Sequence, residues 1–351
     1  MAREENQRGR GEMLSFIRNA ALAGYVSAIK SKLVSKSTIN SLKRAHSIEE
    51  VHHILRTTQY EPYLPPVLSS STEFEQAAMT LFENRFRSLA RFAYAPKGVH
   101  ALHLVAALYE SMLVGRALSL LSKGSRDLAD LIPQFMRVTK KVLQRMSTQP
   151  HWVVASELLP LELITPEAIK ELQTVYEERK PYIDCLLIRH ALSSLKLELE
   201  RLLPRSDYRI ISRILMLRFA VQDLINYLRL LRQNLTWEEI ENYLVAHHVF
   251  PRARLRPHDS VEILVENLPG LPWIRMIGSP TIHDTSPDGI ASYEITLWER
   301  LRDRMNMVFA KNRFSLSIAL AYIFLLECEI RLLLGIISRI EMHTETSLKQ
   351  R

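Results

Sequence analysis

The stretch Phe219–Leu244, FAVQDLINYLRLLRQNLTWEEIENYL, constrains the fold more than any other part of this chain. Val221, Leu224, Ile225, Leu228, Leu231 and Leu235 recur at helical spacing, so one face of a helix is built for burial. Asp223 and Asn226 stand three apart, and Arg229 and Arg232 continue the step. That places a polar stripe beside the apolar one. Thr236 and Glu239 then have the spacing of a capping box, which starts a second helix at once. Weaker versions of the first helix appear at Tyr109–Lys123, with Glu110 and the pair Leu120–Leu121, and at Glu327–Arg339, with Glu329, Arg331 and the pair Ile336–Ile337. The apolar pairs of the three copies fall roughly 110 residues apart, a span long enough for a small domain. The expectation is an all-α protein of three similar helical bundles.

Composition supports helices. Only 10 glycines occur in 351 residues, well under the usual share of about 7%, and no alternation is sustained enough to read as a sheet. A basic tail over 1–12, expected to be disordered, precedes repeat units over 13–127, 128–235 and 236–351. Long helices are expected over 73–94, 98–121, 181–203, 206–233, 292–311 and 314–340. Shorter ones are expected over 13–32 and 133–146, and after the caps Ser47, Thr165 and Thr236. Residues 250–290 hold six of the 16 prolines and should be the least regular part. The first residues are charged and lack the apolar core of a signal peptide. The longest uncharged run, Phe314–Leu326, covers about 13 residues against the ~20 a membrane-spanning helix needs. Cys185 and Cys328 lie in apolar helical contexts and read as buried thiols.

No motif for chemistry stands out. The chain lacks GxxxxGK[ST], GxGxxG, HExxH, CxxC and GxSxG. His52–His53 and His247–His248 are adjacent on helices, so each pair diverges, and His100 with His103 has metal spacing but no nearby acid. Asp223 with Asn226, and Glu327 with Glu329 and Arg331, set acids inside apolar helices. They read either as a general acid or base in a cleft, or as groups that bond an Arg or a backbone amide where helices meet. Recurrence in three sections favours the second. The net charge of +8 suits an acidic partner, a nucleic acid or an anionic membrane surface, or simply a solvated surface. Arg252, Arg254 and Arg256 are the candidates for touching an acidic partner.

The chain resembles the C subunit of the archaeal A-type and V-type rotary ATPases, the counterpart of the d subunit in the vacuolar enzyme. The likeness runs from Gly24 and Tyr25 through Lys30, Lys32, Leu33, Ile48–Val51 and Thr58-Gln59-Tyr60. It continues at Asp223, Asn226, Leu231 and Arg232, and at Ala321, Tyr322, Ile323, Glu327, Glu329, Ile330 and Arg331. Gly115 and Leu332 depart from it, each standing where the family has Asn. The resemblance implies three all-helical domains around a pseudo-threefold axis, in a funnel shape. It implies a non-catalytic rotor subunit, without cofactor or metal, in a proton- or sodium-translocating ATP synthase or ATPase. Such a subunit would sit at the cytoplasmic face of the membrane as a peripheral part, without spanning it, and transmit torque. Its partners would be the central stalk and the membrane proteolipid ring. The alternatives from other classes are a basic helical nucleic-acid binder and an all-α enzyme using Asp223 or the histidines.

Overall fold

Short polar side chains set where the helices begin. In the computed structural model, which describes residues 20–93, 96–149, 152–233, 235–246, 272–277, 284, 286–311 and 315–349, Ser35, Ser47 and Ser70 each accept a backbone N–H of the first turn. They start α2 (Lys36–Arg44), α3 (Ile48–Leu55) and α4 (Ser71–Phe92). Such a cap contributes about 1 kcal/mol by satisfying a donor the helix cannot. Ahead of them lies α1, described over Ala20–Lys30. A short 3-10 turn at Glu61–Tyr63 carries the Pro62 break. Next comes α5 (Pro96–Ser122), followed by α6 (Leu128–Leu131) and α7 (Lys140–Thr148). Then follow α8 (Trp152–Ser156), α9 (Pro166–Glu177), α10 (Ile183–Leu202), α11 (Arg205–Leu231) and α12 (Trp237–Asn242). The described chain ends with α13 (Pro272–Ile277), α14 (Pro287–Lys311) and α15 (Ser317–Lys349). The all-α class is as expected: the described residues contain no strand, only the isolated bridge between Phe135 and Val138.

Three boundaries differ from expectation, each for a local reason. The helix expected over 133–146 starts only at Lys140, where Thr139 caps it. Residues 135–138 instead close a tight turn, with Met136 at a φ of 51° and Phe135 packed on Phe82, Phe86 and Tyr109. Helix α14 starts earlier than 292, because the Ser286 hydroxyl receives the Gly289 N–H and Pro287 fits the first turn. Helix α15 runs past 340 to Lys349, since no Gly–Pro stop follows. The tail over 1–12 and most of the proline-rich stretch over 250–290 lie outside the described residues, as do Arg252, Arg254 and Arg256.

The long helices meet in a closed circuit. Helix α4 packs on α5, α5 on α10, α10 on α11, α11 on α14, α14 on α15, and α15 returns to α4. Helix α15 also touches α11, α2 and α3. From Ala319 to Glu329 no residue of α15 is more than 4% exposed, the mark of a helix buried on all sides. Among the described residues α5 is the one helix long and apolar enough to cross a membrane, but 78% of its apolar window is buried inside the protein. Hydropathy there reports a core helix. Both cysteines are buried free thiols, as expected. The buried apolar residues join into one cluster from Leu22 to Ile340 that crosses residues 127/128 and 235/236.

Gly115 shows how closely α5 and α10 approach. A Cβ there would lie 2.9 Å from the Asp184 Cα, a backbone atom that cannot swing aside. This gives the departure from the family pattern a physical reason: no Asn fits. Gly24, on α1, has nothing within 4 Å of a Cβ. Gly115→Ala is expected to cost about 1–3 kcal/mol through overpacking, whereas Gly24→Ala should gain about 0.5–1 kcal/mol of helix stability. Urea unfolding of the two variants reads the contrast directly.

Candidate functional site

A buried carboxylate must find donors or stay neutral, and α15 carries two. Glu327 and Glu329 are two residues apart, so the helical turn aims them at opposite sides. Glu327 faces α11 and α5. Arg218 donates Nη2 and Nε to its Oε1 at 2.6 and 3.0 Å, and the Tyr109 hydroxyl donates to its Oε2 at 2.6 Å. Arg218 is only 2% exposed. Burial pushes the Glu327 carboxyl up, but the Arg218 charge and hydrogen bonds outweigh it and hold the acid below its usual range. Arg331, one turn along and half-buried, stands 3.7 Å from the same carboxylate.

Glu329 faces the start of the chain. Its Oε2 accepts the Val34 N–H at 2.8 Å and Arg302 Nη2 at 3.0 Å. Its Oε1 accepts Gln59 Nε2 and the Tyr60 hydroxyl, both at 3.1 Å. Arg302 Nη2 also donates to the Val34 carbonyl. Both backbone groups of Val34 are therefore held by one ion pair. Burial pushes Glu329 up to about 7, against the pull of Arg302 and three donors.

Asp223, on α11, accepts the Val245 N–H at 2.9 Å and the Ala246 N–H at 2.5 Å, one on each oxygen. Burial pushes it up to about 7, against those two donors and the charges of Arg218 and Arg189. Arg189 holds the same segment by donating to the carbonyls of Glu241, Asn242 and Leu244. Glu110, on α5, has the matching role in the first section. It accepts the Arg137 N–H at 2.9 Å and that residue's guanidinium at 2.7 and 2.9 Å. Three buried helical acids, Glu110, Asp223 and Glu329, thus each receive a backbone N–H from a distant turn.

The other expected residues divide. Asn226 accepts Gln222 Nε2 rather than joining Asp223. It lines, with Glu327 and Arg331, a cavity of about 230 Å³ where α4, α5, α10, α11 and α15 converge. Arg232 sits exposed at the C-cap of α11. His100 and His103 are exposed on α5, and the described residues contain no group of three metal-binding side chains. Arg218, Arg302, Tyr60, Tyr109, Arg137 and Arg189 complete the network, and of these the sequence singles out only Tyr60, as part of the family likeness. A lone Arg in an apolar helix, such as Arg218 within ILMLRFAV, was the available signal.

The sequence fits the family described as ATP synthase (C/AC39) subunit across residues 22–351. No curated protein matches it.

Arg218→Met strands Glu327 in the core and is expected to cost about 3–5 kcal/mol, whereas the double change Arg218→Met with Glu327→Met should recover much of that loss. Chemical denaturation of the three proteins tests it. A pH dependence also follows. Unfolded, Asp223 and Glu329 ionise near pH 4; folded, they keep their protons to about pH 7. The folded state binds more protons in that window, so these two acids make stability fall as pH rises through it. Glu327, held low, acts the other way, and its contribution is lost as pH falls. Melting temperatures from pH 5 to 8 should show a downward slope that flattens in Asp223→Asn with Glu329→Gln; an unchanged slope contradicts the assignment.

Proposed function

This chain belongs to the ATP synthase (C/AC39) subunit family, and from that premise we propose that it is a non-catalytic coupling subunit of a proton- or sodium-driven rotary ATPase. It joins the central stalk to the membrane proteolipid ring, at the cytoplasmic face, and transmits torque between them. Family membership over almost the entire chain carries this reading. The burial of α5, the membrane-length helix, supports a peripheral place rather than a spanning one.

The mechanism is mechanical. A part that passes torque must not yield, and closely packed interiors have low compressibility. The circuit of long helices, fastened where α15 meets the first residues of the chain, supplies such a body. We further propose that three units, over 13–127, 128–235 and 236–351, stand around a pseudo-threefold axis in a funnel shape. The acids Glu110, Asp223 and Glu329, each bonded to a remote amide, support a repeated plan. These acids are engaged in holding the chain together, which sets them apart from a free general base.

The test is reconstitution of the rotary complex with and without this chain. With it, ATP hydrolysis should drive ion uptake into vesicles. Without it, the soluble sector should still hydrolyse ATP while ion uptake falls to background. Ion uptake that persists without the chain would contradict the proposal.

A further inference from the structure

A groove bordered by the Val34–Arg302 junction runs between α1, the turn into α2, and α14. It encloses about 870 Å³, ample for a small ligand. Its charges are unbalanced. Lys30, Lys36 and Arg302 line it against one lining acid among the described residues, Asp303, and Arg302 already has Glu329 behind it as its counter-ion, so the excess rests on Lys30. That acid is 3.7 Å from Lys36, with both side chains more than half exposed, so the pair is weak.

Lys30 and Arg302 carry donors that the protein leaves unused. Burial pushes the Lys30 ammonium down, and it stands over the Phe309 ring, 4.6 Å from the ring centre, rather than beside a carboxylate. Arg302 is 8% exposed, and its Nε has no partner among the described residues. A partly desolvated cation without a counter-ion gains from an anion. The groove also holds the start of α2, a nine-residue helix with no acid in its first turn, where the helix dipole favours negative charge. Ser27 and Asn306 add a hydroxyl and an amide donor along the wall, while the Ser31 hydroxyl donates to the Ala28 carbonyl and the Ser35 hydroxyl caps α2. Gly24, one turn before Ser27 on α1, leaves open space where a side chain would otherwise intrude. The exposed lining positions are Gly24, three serines, Lys36 and Asp303, rather than the aromatic and aliphatic anchors on which protein interfaces depend.

We propose that this groove binds a phosphate-bearing ligand, with Lys30 and Lys36 as the cations and Ser27 and Asn306 as neutral donors. The chemistry fits equally the headgroup of an anionic lipid and a free phosphate ester. The site goes beyond the coupling role and stands whether or not that role is correct, because it rests on the groove alone.

Two variants of the full chain probe it in different ways. Lys30→Met with Lys36→Met removes charge, and Gly24→Leu fills the groove without touching a charge. Glycerol 3-phosphate is titrated by calorimetry. Vesicles of phosphatidylcholine with and without phosphatidylglycerol are tested by co-sedimentation. The wild type should bind at least one probe saturably, and both variants should weaken that binding on the order of tenfold or more, about 1.4 kcal/mol, with melting temperatures no lower than wild type. Saturation by glycerol 3-phosphate that also competes with vesicles identifies a free phosphate ester as the ligand. Binding only to vesicles that contain phosphatidylglycerol identifies a headgroup. Absence of binding to both probes, or binding that neither variant weakens, overturns the site.

Discussion

The pairing of Glu329 with Arg302 fixes the rest of the structure. A carboxylate with no solvent exposure costs several kcal/mol unless donors surround it. Glu329 gathers them from three places: α14, the 3-10 turn at Tyr60, and the backbone of Val34. Arg302 then takes the Val34 carbonyl as well. The residues meeting there lie far apart in sequence, so the pair joins the start of the chain to its last long helix. Without that junction α2 and α3 would lie against α15 through apolar contact, which is non-directional and sets no register, with the Lys36–Asp303 and Lys43–Glu299 pairs left to hold α2 to α14.

Glu327 makes the complementary junction on the other side of the same helix. It draws α11 and α5 inward through Arg218 and Tyr109. Two acids two residues apart thus fasten α15 to partners on opposite sides, and the apolar run before them supplies the burial energy. In a rotary machine such a body resists bending, which is the physical content of the proposed coupling role. The buried apolar residues form one connected core, so any threefold repeat is a matter of repeated helices and clasps rather than of three separate interiors.

Much of the fold could be read from local chemistry. Caps at Ser47, Thr165 and Thr236 and apolar spacing along α4, α5, α10, α11 and α15 are nearest-neighbour signals, and each is used as expected. The 133–146 stretch misled because Phe135 is taken up by Phe82, Phe86 and Tyr109, a tertiary demand that helical periodicity does not express. The candidate acids Asp223, Glu327 and Glu329 were visible because a charge inside an apolar helix face is conspicuous. Their partners were not. Arg302 sits within LWERLRDRM, a run that reads as a solvated stripe, and Tyr60 stands just before the break at Pro62. Which of many arginines meets which acid is decided by helix packing across hundreds of residues, and spacing along one chain carries no trace of it.

The junction at Val34 can be observed without altering any other part of the protein. Native-state hydrogen exchange of the Val34 amide reports how often Glu329 lets go. The Val34 amide should exchange nearly as slowly as the amides of the buried middle of α15, and Glu329→Ala should speed it far more than it speeds exchange in α10. A Val34 amide that exchanges as fast as those of the exposed turn before it would contradict the claim that this ion pair closes the fold.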